Sequence, residues 1–215
     1  MIVLLAKLLA SYLLGSVVGS LLLGRLRGVD IRTAGSGNAG ATNALRTQGK
    51  LFALGTALID FGKGVLAAAL IAPLAIADSP LGLTETQLAC GLAAAVGHCY
   101  PLYHGFRGGK GAGTLIGVVL WMFPMVALAM LAVWLLVLIS SGYVGLSTVM
   151  AGLCFPIALY LLQSPLSAGL VAMAVAAAAL LVYTHRSNLA RLRAGTEHRF
   201  EKARLLARMF GRRGP

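Results

Sequence analysis

Three short stretches of this chain mix glycine with side chains that bind anions. The first is GSGNAGATNALR, residues 35–46, where Ser36, Asn38, Thr42, Asn43 and Arg46 stand among Gly35, Gly37 and Gly40. The second is GHCYPLYHGFRGGKGAGT, residues 97–114, with Lys110 set among Gly108, Gly109 and Gly111. The third is HRSNLARLRAGTE, residues 185–197, where His185 and Asn188 precede arginines and Glu197. Glycine has no Cβ, so its backbone N–H can come close to an anion, and several N–H groups in one turn make a concavity for it. Ser36, Asn38, Thr42 and Asn43 add neutral donors. Arg46 can grip two oxygens with its planar fork, and Lys110 supplies a compact point charge. One such loop is explained by turns and helix caps alone. Three on one face of a molecule point to phosphate.

Several chemistries that use similar residues are excluded. Gly35, Gly37 and Gly40 match GxGxxG, a dinucleotide fingerprint only after a strand, whereas the apolar SYLLGSVVGSLLLG precedes them here. A P-loop closing at Gly109-Lys110 would need Gly at 104 and Ser or Thr at 111, and the chain has His104 and Gly111. The acidic residues are Asp30, Asp60, Asp78, Glu85, Glu197 and Glu201; none cluster, so no metal is expected. Five positions after the histidines come Tyr103, Gly109, Ala190 and Ala203, so the His-x4-Asp pair of many acyltransferases is missing. No PSGH-like phosphatase loop occurs. Anion binding without an evident base or metal implies chemistry driven by positioning and charge stabilisation.

The elements that position these segments are apolar helices. The chain is 59% hydrophobic and only 11% charged, with a mean hydropathy of +0.87, against about 25% charged residues in globular domains. Apolar runs recur over 3–23, 51–77, 115–139, 144–162 and 166–182, and roughly 20 such residues cross a bilayer. No run alternates as barrel strands do. The fold class expected is all-α: a polytopic membrane protein. The first run has neither a basic start nor an A-x-A cleavage site, so it is expected to stay as a helix. Cys90, Cys99 and Cys154 lack metal or CxxC spacing and read as small apolar residues.

Charge sets the topology. Every Lys and Arg except Lys7 and Lys63 lies after the first run, around Arg107 and Lys110, or from Arg186 onward, whereas ADSPLGLTE carries only acids. Basic loops stay cytoplasmic, so all three polar segments are expected on that face. An even number of crossings must then lie between the second and third segments. Pro124 interrupts the run TLIGVVLWMFPMVALAMLAVWLLVLI, and proline breaks a helix, so the run splits near Met122 to Met125. The count becomes seven transmembrane helices, with the N-terminus outside and the C-terminus cytoplasmic. Residues 1–198 read as one integral-membrane catalytic domain. Residues 199–215, with RFEKARLLARMFGRR, read as a basic amphipathic tail on the inner surface, facing anionic membrane lipids. Nothing in the tail has the aromatic interleaving of a nucleic-acid binder, so no nucleic acid is expected.

A few polar residues stand apart. Asp60 and Lys63 sit at i,i+3 inside an apolar run, where such groups pair or face a polar cavity. His98 ends a short span and reads as a packing or hydrogen-bonding residue. His185 and Asn188 share one helix face. Glu197 reads as an anchor for an arginine.

The chain resembles the bacterial acyl-phosphate:glycerol-3-phosphate acyltransferase family. GSGNAGATNALRTQGK, VGHCYPLYHGFRGGKGAGT and YTHRSNLARLRAGTEH are similar, in order and spacing, to its three characteristic segments. The resemblance implies a seven-helix enzyme of the bacterial inner membrane, working on its cytoplasmic side without cofactor or metal. It would move a fatty acyl group from acyl phosphate to the sn-1 hydroxyl of glycerol 3-phosphate, giving lysophosphatidate and phosphate for phospholipid biosynthesis. It implies that Ser36, Gly37, Asn38, Gly40 and Asn43 hold acyl phosphate, and that Arg46, Gly108, Gly109, Lys110 and Gly111 bind glycerol 3-phosphate. Ser36, Arg46, Lys110, His185 and Asn188 would carry the reaction, Glu197 would keep the third segment in shape, and the acyl-phosphate-forming enzyme would be a partner. Two departures stand out: GAGT replaces a bulkier GVAT, and SGYVGLS lacks a basic residue near Gly142 and a serine near Gly145. The main alternative is a transporter of a phosphorylated solute, which would explain the polar loops and Asp60 with Lys63. A transporter needs a central site between repeats, and the sequence has no internal repeat. A lipid-binding or assembly protein would leave the glycine clusters unused.

Overall fold

The computed structural model describes residues 1–75 and 78–203, and every regular element among them is helical. In a chain this apolar a helix satisfies each backbone N–H and C=O within its own segment, which lipid requires. In order come α1 (Ile2–Gly15), α2 (Gly19–Leu26), α3 (Ala41–Gln48), α4 (Lys50–Leu66), α5 (Leu83–Cys99), α6 (Ala112–Met122), α7 (Pro124–Ser141), α8 (Val144–Gln163), α9 (Ala168–Thr184) and α10 (Arg186–Arg193). A π turn, Ala67–Ile71, extends α4. Among the described residues three helices are long and apolar enough to cross a membrane alone: Lys50–Ile71, Pro124–Ser141 and Val144–Gln163. Two bent pairs reach that length together, α1 with α2 at 45° and α9 with α10 at 52°. α6 is apolar but shorter.

The chain divides into two compact units, Met1–Pro124 and Met125–Pro215. In the first unit α1 packs on α5 and α4 on α6. Small residues let these backbones approach, as between membrane helices generally. A Cβ at Gly64 would strike the Thr114 carbonyl, and one at Gly117 the Phe61 carbonyl. In the second unit α8 packs on α9.

The helix break expected near Pro124 is present: Phe123 leaves the helical region at φ −140°, and Pro124 opens α7. Proline suits that first position because its missing N–H would have no intrahelical partner there. The first apolar run differs from the sequence reading. It is broken at residues 16–18, where Val18 is extended. Of the tail from residue 199, the described part holds a single 3-10 turn, Glu201–Ala203. The amphipathic reading of residues 204–215 lies outside the described residues.

Candidate functional site

The first polar segment is a loop shaped from inside. Asp30 caps a 3-10 turn, Ile31–Thr33, by accepting the Arg32 N–H at 2.9 Å. The Arg32 guanidinium folds back onto the same carboxylate at 2.7 Å and holds the Asp30 carboxyl below the usual carboxylate range. Beyond it Gly35 and Gly37 take φ of 60° and 70°, a region that side chains with a Cβ avoid. Asn43, on α3, lies beneath this turn and is 1% exposed. Its Oδ1 accepts the Ser36 N–H at 2.9 Å. Its Nδ2 donates to the Ile31 and Ala34 carbonyls, each at 3.0 Å. Both amide hydrogens are thereby engaged, so Asn43 shapes the loop and has no hydrogen left for a ligand. Ser36 and Gly37 are exposed, while Asn38, Gly40 and Arg46 are half-buried.

The second segment joins the first through Arg32, whose Nη1 donates to the His104 and Arg107 carbonyls at 3.1 and 2.9 Å. Burial, reinforced by the charges of Arg32 and Arg25, pushes the His104 imidazole down from the ordinary histidine value. The chain leaves α5, makes a 3-10 turn at Leu102–His104 and returns. Gly108 N–H donates to the Cys99 carbonyl at 3.1 Å and Gly109 N–H to the His98 carbonyl at 3.0 Å. A Cβ at Gly108 would strike the His98 carbonyl; one at Gly109 would strike the His98 ring at Nε2. These two glycines therefore lie flat on the end of α5, with their N–H groups already bonded. That use differs from the anion cradle expected at these positions. Gly111, at φ 79°, turns the chain into α6, and Lys110 is half-buried between.

Beneath this lies a buried charged cluster. Lys63 Nζ and Asp60 Oδ1 are 3.0 Å apart, with side chains 3% and 5% exposed. Lys63 Nζ also donates to the Gly15 and Val17 carbonyls, each at 2.9 Å. Asp60 Oδ1 accepts the Gly19 N–H at 3.0 Å. His98 Nδ1 is 2.8 Å from Lys63 Nζ and 3.3 Å from Asp60 Oδ1. The break between α1 and α2 leaves these carbonyls and this N–H without helical partners. The pair replaces those partners, which apolar surroundings would not. Removing one member would leave an uncompensated buried charge, at a cost of about 3–5 kcal/mol.

The third segment belongs to the second unit. His185 lies at the bend between α9 and α10 and is 5% exposed. Its Nδ1 is 2.8 Å from the Leu181 carbonyl. A carbonyl only accepts, so Nδ1 carries a proton in this contact. Glu197 accepts from Asn188 Nδ2 at 2.6 Å and from Arg191 Nε at 2.7 Å. A Cβ at Gly145 would come within 2.8 Å of Asn188 Nδ2, which gives that position its own reason to lack the serine. Phe200 N–H donates to the Gly142 carbonyl at 2.9 Å and Arg199 Nε to the Ser141 carbonyl at 3.0 Å. These bonds latch the segment's end to the α7–α8 turn. Ser147 is buried, its hydroxyl donating to the Tyr143 carbonyl at 2.9 Å.

Residues 5–195 match the model of the glycerol-3-phosphate acyltransferase family. The chain belongs to this family. The glycerol-3-phosphate acyltransferase of Aquifex aeolicus is 40% identical over 191 residues, 88% of this chain and 95% of that one. The one from Thioalkalivibrio sulfidiphilus is 44% identical over 194 residues, covering 89% and 91%. The crystal structure of PlsY (YgiH), an integral membrane glycerol 3-phosphate acyltransferase, in its glycerol 3-phosphate form is 37% identical. It superposes with a TM-score of 0.82 over 96% of this chain and 98% of that one. Its lysophosphatidic acid form is 36% identical, with a TM-score of 0.81 over 94% and 98%.

The acyltransferase is thus an all-helical, multi-pass membrane enzyme, and the transporter reading has no support. Its structure joins the segment holding Ser36, Gly37, Asn38, Gly40, Asn43 and Arg46 to the one holding Gly108, Gly109, Lys110 and Gly111. His185, Asn188 and Glu197 are held together within the second unit. Sequence reasoning placed Asp60 with Lys63 but missed His98 as their third member. The spacing of a histidine to a lysine 35 residues away carries no periodic signal. The clue present in the sequence was a second polar residue at the end of an apolar run.

Proposed function

We propose that this acyltransferase moves a fatty acyl group from acyl phosphate to the sn-1 hydroxyl of glycerol 3-phosphate, releasing phosphate and lysophosphatidate for phospholipid synthesis. The hydroxyl oxygen bonds to the acyl carbon, and the bond from that carbon to the phosphate oxygen breaks. The hydroxyl proton passes to a phosphate oxygen of the substrate. No carboxylate among the described residues lies in the polar loops in a form that would take it: Asp30 and Glu197 are each bound to an arginine. The observation that carries this reading is the Arg32 bridge, which joins a loop presenting an exposed serine to a loop presenting a lysine. Two phosphorylated substrates need two such donor groups side by side.

In this reading Ser36, Gly37, Asn38 and Gly40 meet the acyl phosphate, with Asn43 fixing their geometry. Arg46, Lys110 and Gly111 meet glycerol 3-phosphate, with Gly108 and Gly109 fixing the path of the chain. His185 and Asn188 serve the same reaction, and Glu197 orients Asn188. Seven crossings, an outside N-terminus and a cytoplasmic site in the bacterial inner membrane complete the proposal. Its support is the charge asymmetry of the loops and the helix break at Phe123. The enzyme that forms acyl phosphate is the partner expected upstream. Metal takes no part.

The test is release of inorganic phosphate by purified protein in detergent, given both substrates. Ser36→Ala and Lys110→Ala are expected to fold and to lose roughly 100-fold or more in kcat/KM. A folded variant of either kind at full rate would remove that residue from the site, and loss of activity in a chelator would overturn the metal-free reaction.

A further inference from the structure

We propose that His98 is a positioning residue: its imidazole, clamped by Lys63 and Asp60, sets the path of Gly108, Gly109 and Lys110 and ties it to the break in the first helix pair. The proposal rests on the functional reading above, in which that path meets glycerol 3-phosphate.

Three observations carry it. The ring is fixed on one edge, with Nδ1 at 2.8 Å from Lys63 Nζ and 3.3 Å from Asp60 Oδ1. Its other edge lies against Gly109, where a Cβ would strike Nε2. The main chain of the same residue accepts the Gly109 N–H at 3.0 Å. Two successive glycines have no side chains of their own to pack, so their place is decided by what lies beneath them, and that is His98. The same break is linked to the start of the segment from the other side. Ser16 Oγ accepts the Leu102 N–H at 3.2 Å, and the Tyr12 hydroxyl donates to the Tyr100 carbonyl at 2.8 Å. Lys63 and Asp60 are in turn fixed by the Gly15 and Val17 carbonyls and the Gly19 N–H. A shift of the broken helix therefore moves the ring, and the ring moves the glycines that lead into Lys110.

A ring that merely filled space would affect stability alone. A ring that positions the segment affects one substrate's KM. Phosphate release is measured with each substrate varied in turn, alongside the thermal midpoint. His98→Ala should raise KM for glycerol 3-phosphate about tenfold, with kcat and KM for acyl phosphate within about threefold. Gly109→Ala alone should do the same, since its methyl meets the ring. In the His98→Ala background that methyl has room, so the added effect of Gly109→Ala should shrink to within about twofold. If His98→Ala does not fold, His98→Asn, whose amide oxygen stands where Nδ1 meets Lys63 and which lacks the Nε2 edge against Gly109, takes its place in the same cycle. Additive effects of the two changes, or a lowered midpoint with unchanged KM, would overturn the proposal. Wild-type protein that releases no phosphate from acyl phosphate would overturn the functional reading instead.

Discussion

The first and second polar segments share a high glycine content and are built in opposite ways. Both are dense in glycine and both carry a cation. In the first, a buried amide at Asn43 holds the loop from within and leaves Ser36 outward. In the second, the glycines collapse onto the end of α5, and two of their N–H groups bond its last carbonyls. Left-handed glycines turn the chain in both, and in the second Gly108 and Gly109 also bring main chain close to a histidine. Glycine density therefore marks where a backbone must do something unusual, without saying that it cradles an anion.

Four changes test that contrast, the largest effect first. Asn43→Ala orphans the Ser36 N–H and two carbonyls at a site 1% exposed. Its expected cost is about 3 kcal/mol, read by thermal unfolding in detergent, with most activity lost. A stable and active Asn43→Ala would mean the first loop is not held from inside. Gly35→Ala combines a φ of 60° with a methyl aimed at Asn43. It should cost roughly 2 kcal/mol, whereas Gly105→Ala, also left-handed but with open space around it, should cost about 1. Equal costs would erase the difference between the two loops. Arg32→Met removes the bridge between them; its side chain is 25% exposed, so the loss should be about 1 kcal/mol. If the two loops hold the two substrates as proposed, activity should fall more than stability, because both loops are released together.

The smallest effect is that of pH. Asp30 and His104 both have folded values below their unfolded ones. Each therefore favours folding above its unfolded value and loses that contribution as pH falls through the folded value. The second segment should weaken first, as pH drops below the ordinary histidine value of 6.5, and the first only below the ordinary carboxylate value of 3.8. Midpoints measured from pH 7 to pH 3, with His104→Gln removing the upper step and Asp30→Asn the lower, would check this. A first loss that survives in His104→Gln would assign it to another group.

The break at Phe123 was legible because proline acts locally through its missing N–H and its ring. The break at residues 16–18 was not, because nothing in SYLLGSVVGSLLLG forbids a continuous helix. What stabilises it is brought from α4. The Asp60–Lys63 pair could be read from i,i+3 spacing, yet its task of replacing lost helix bonds could not. In the first segment Asn43 looked like one more donor beside Asn38. Only burial, and both its hydrogens being engaged, distinguishes the two.

The sequence by itself determined that this is an apolar, helical chain with three polar segments, two of them dense in glycine, because hydropathy and glycine's missing Cβ are properties of residues where they stand. The tertiary structure alone decided which donors remain to meet a ligand and which are already bonded. Those bonds join residues such as Lys63 and Gly15, 48 positions apart, and no local pattern records a partner that only folding brings within 3 Å.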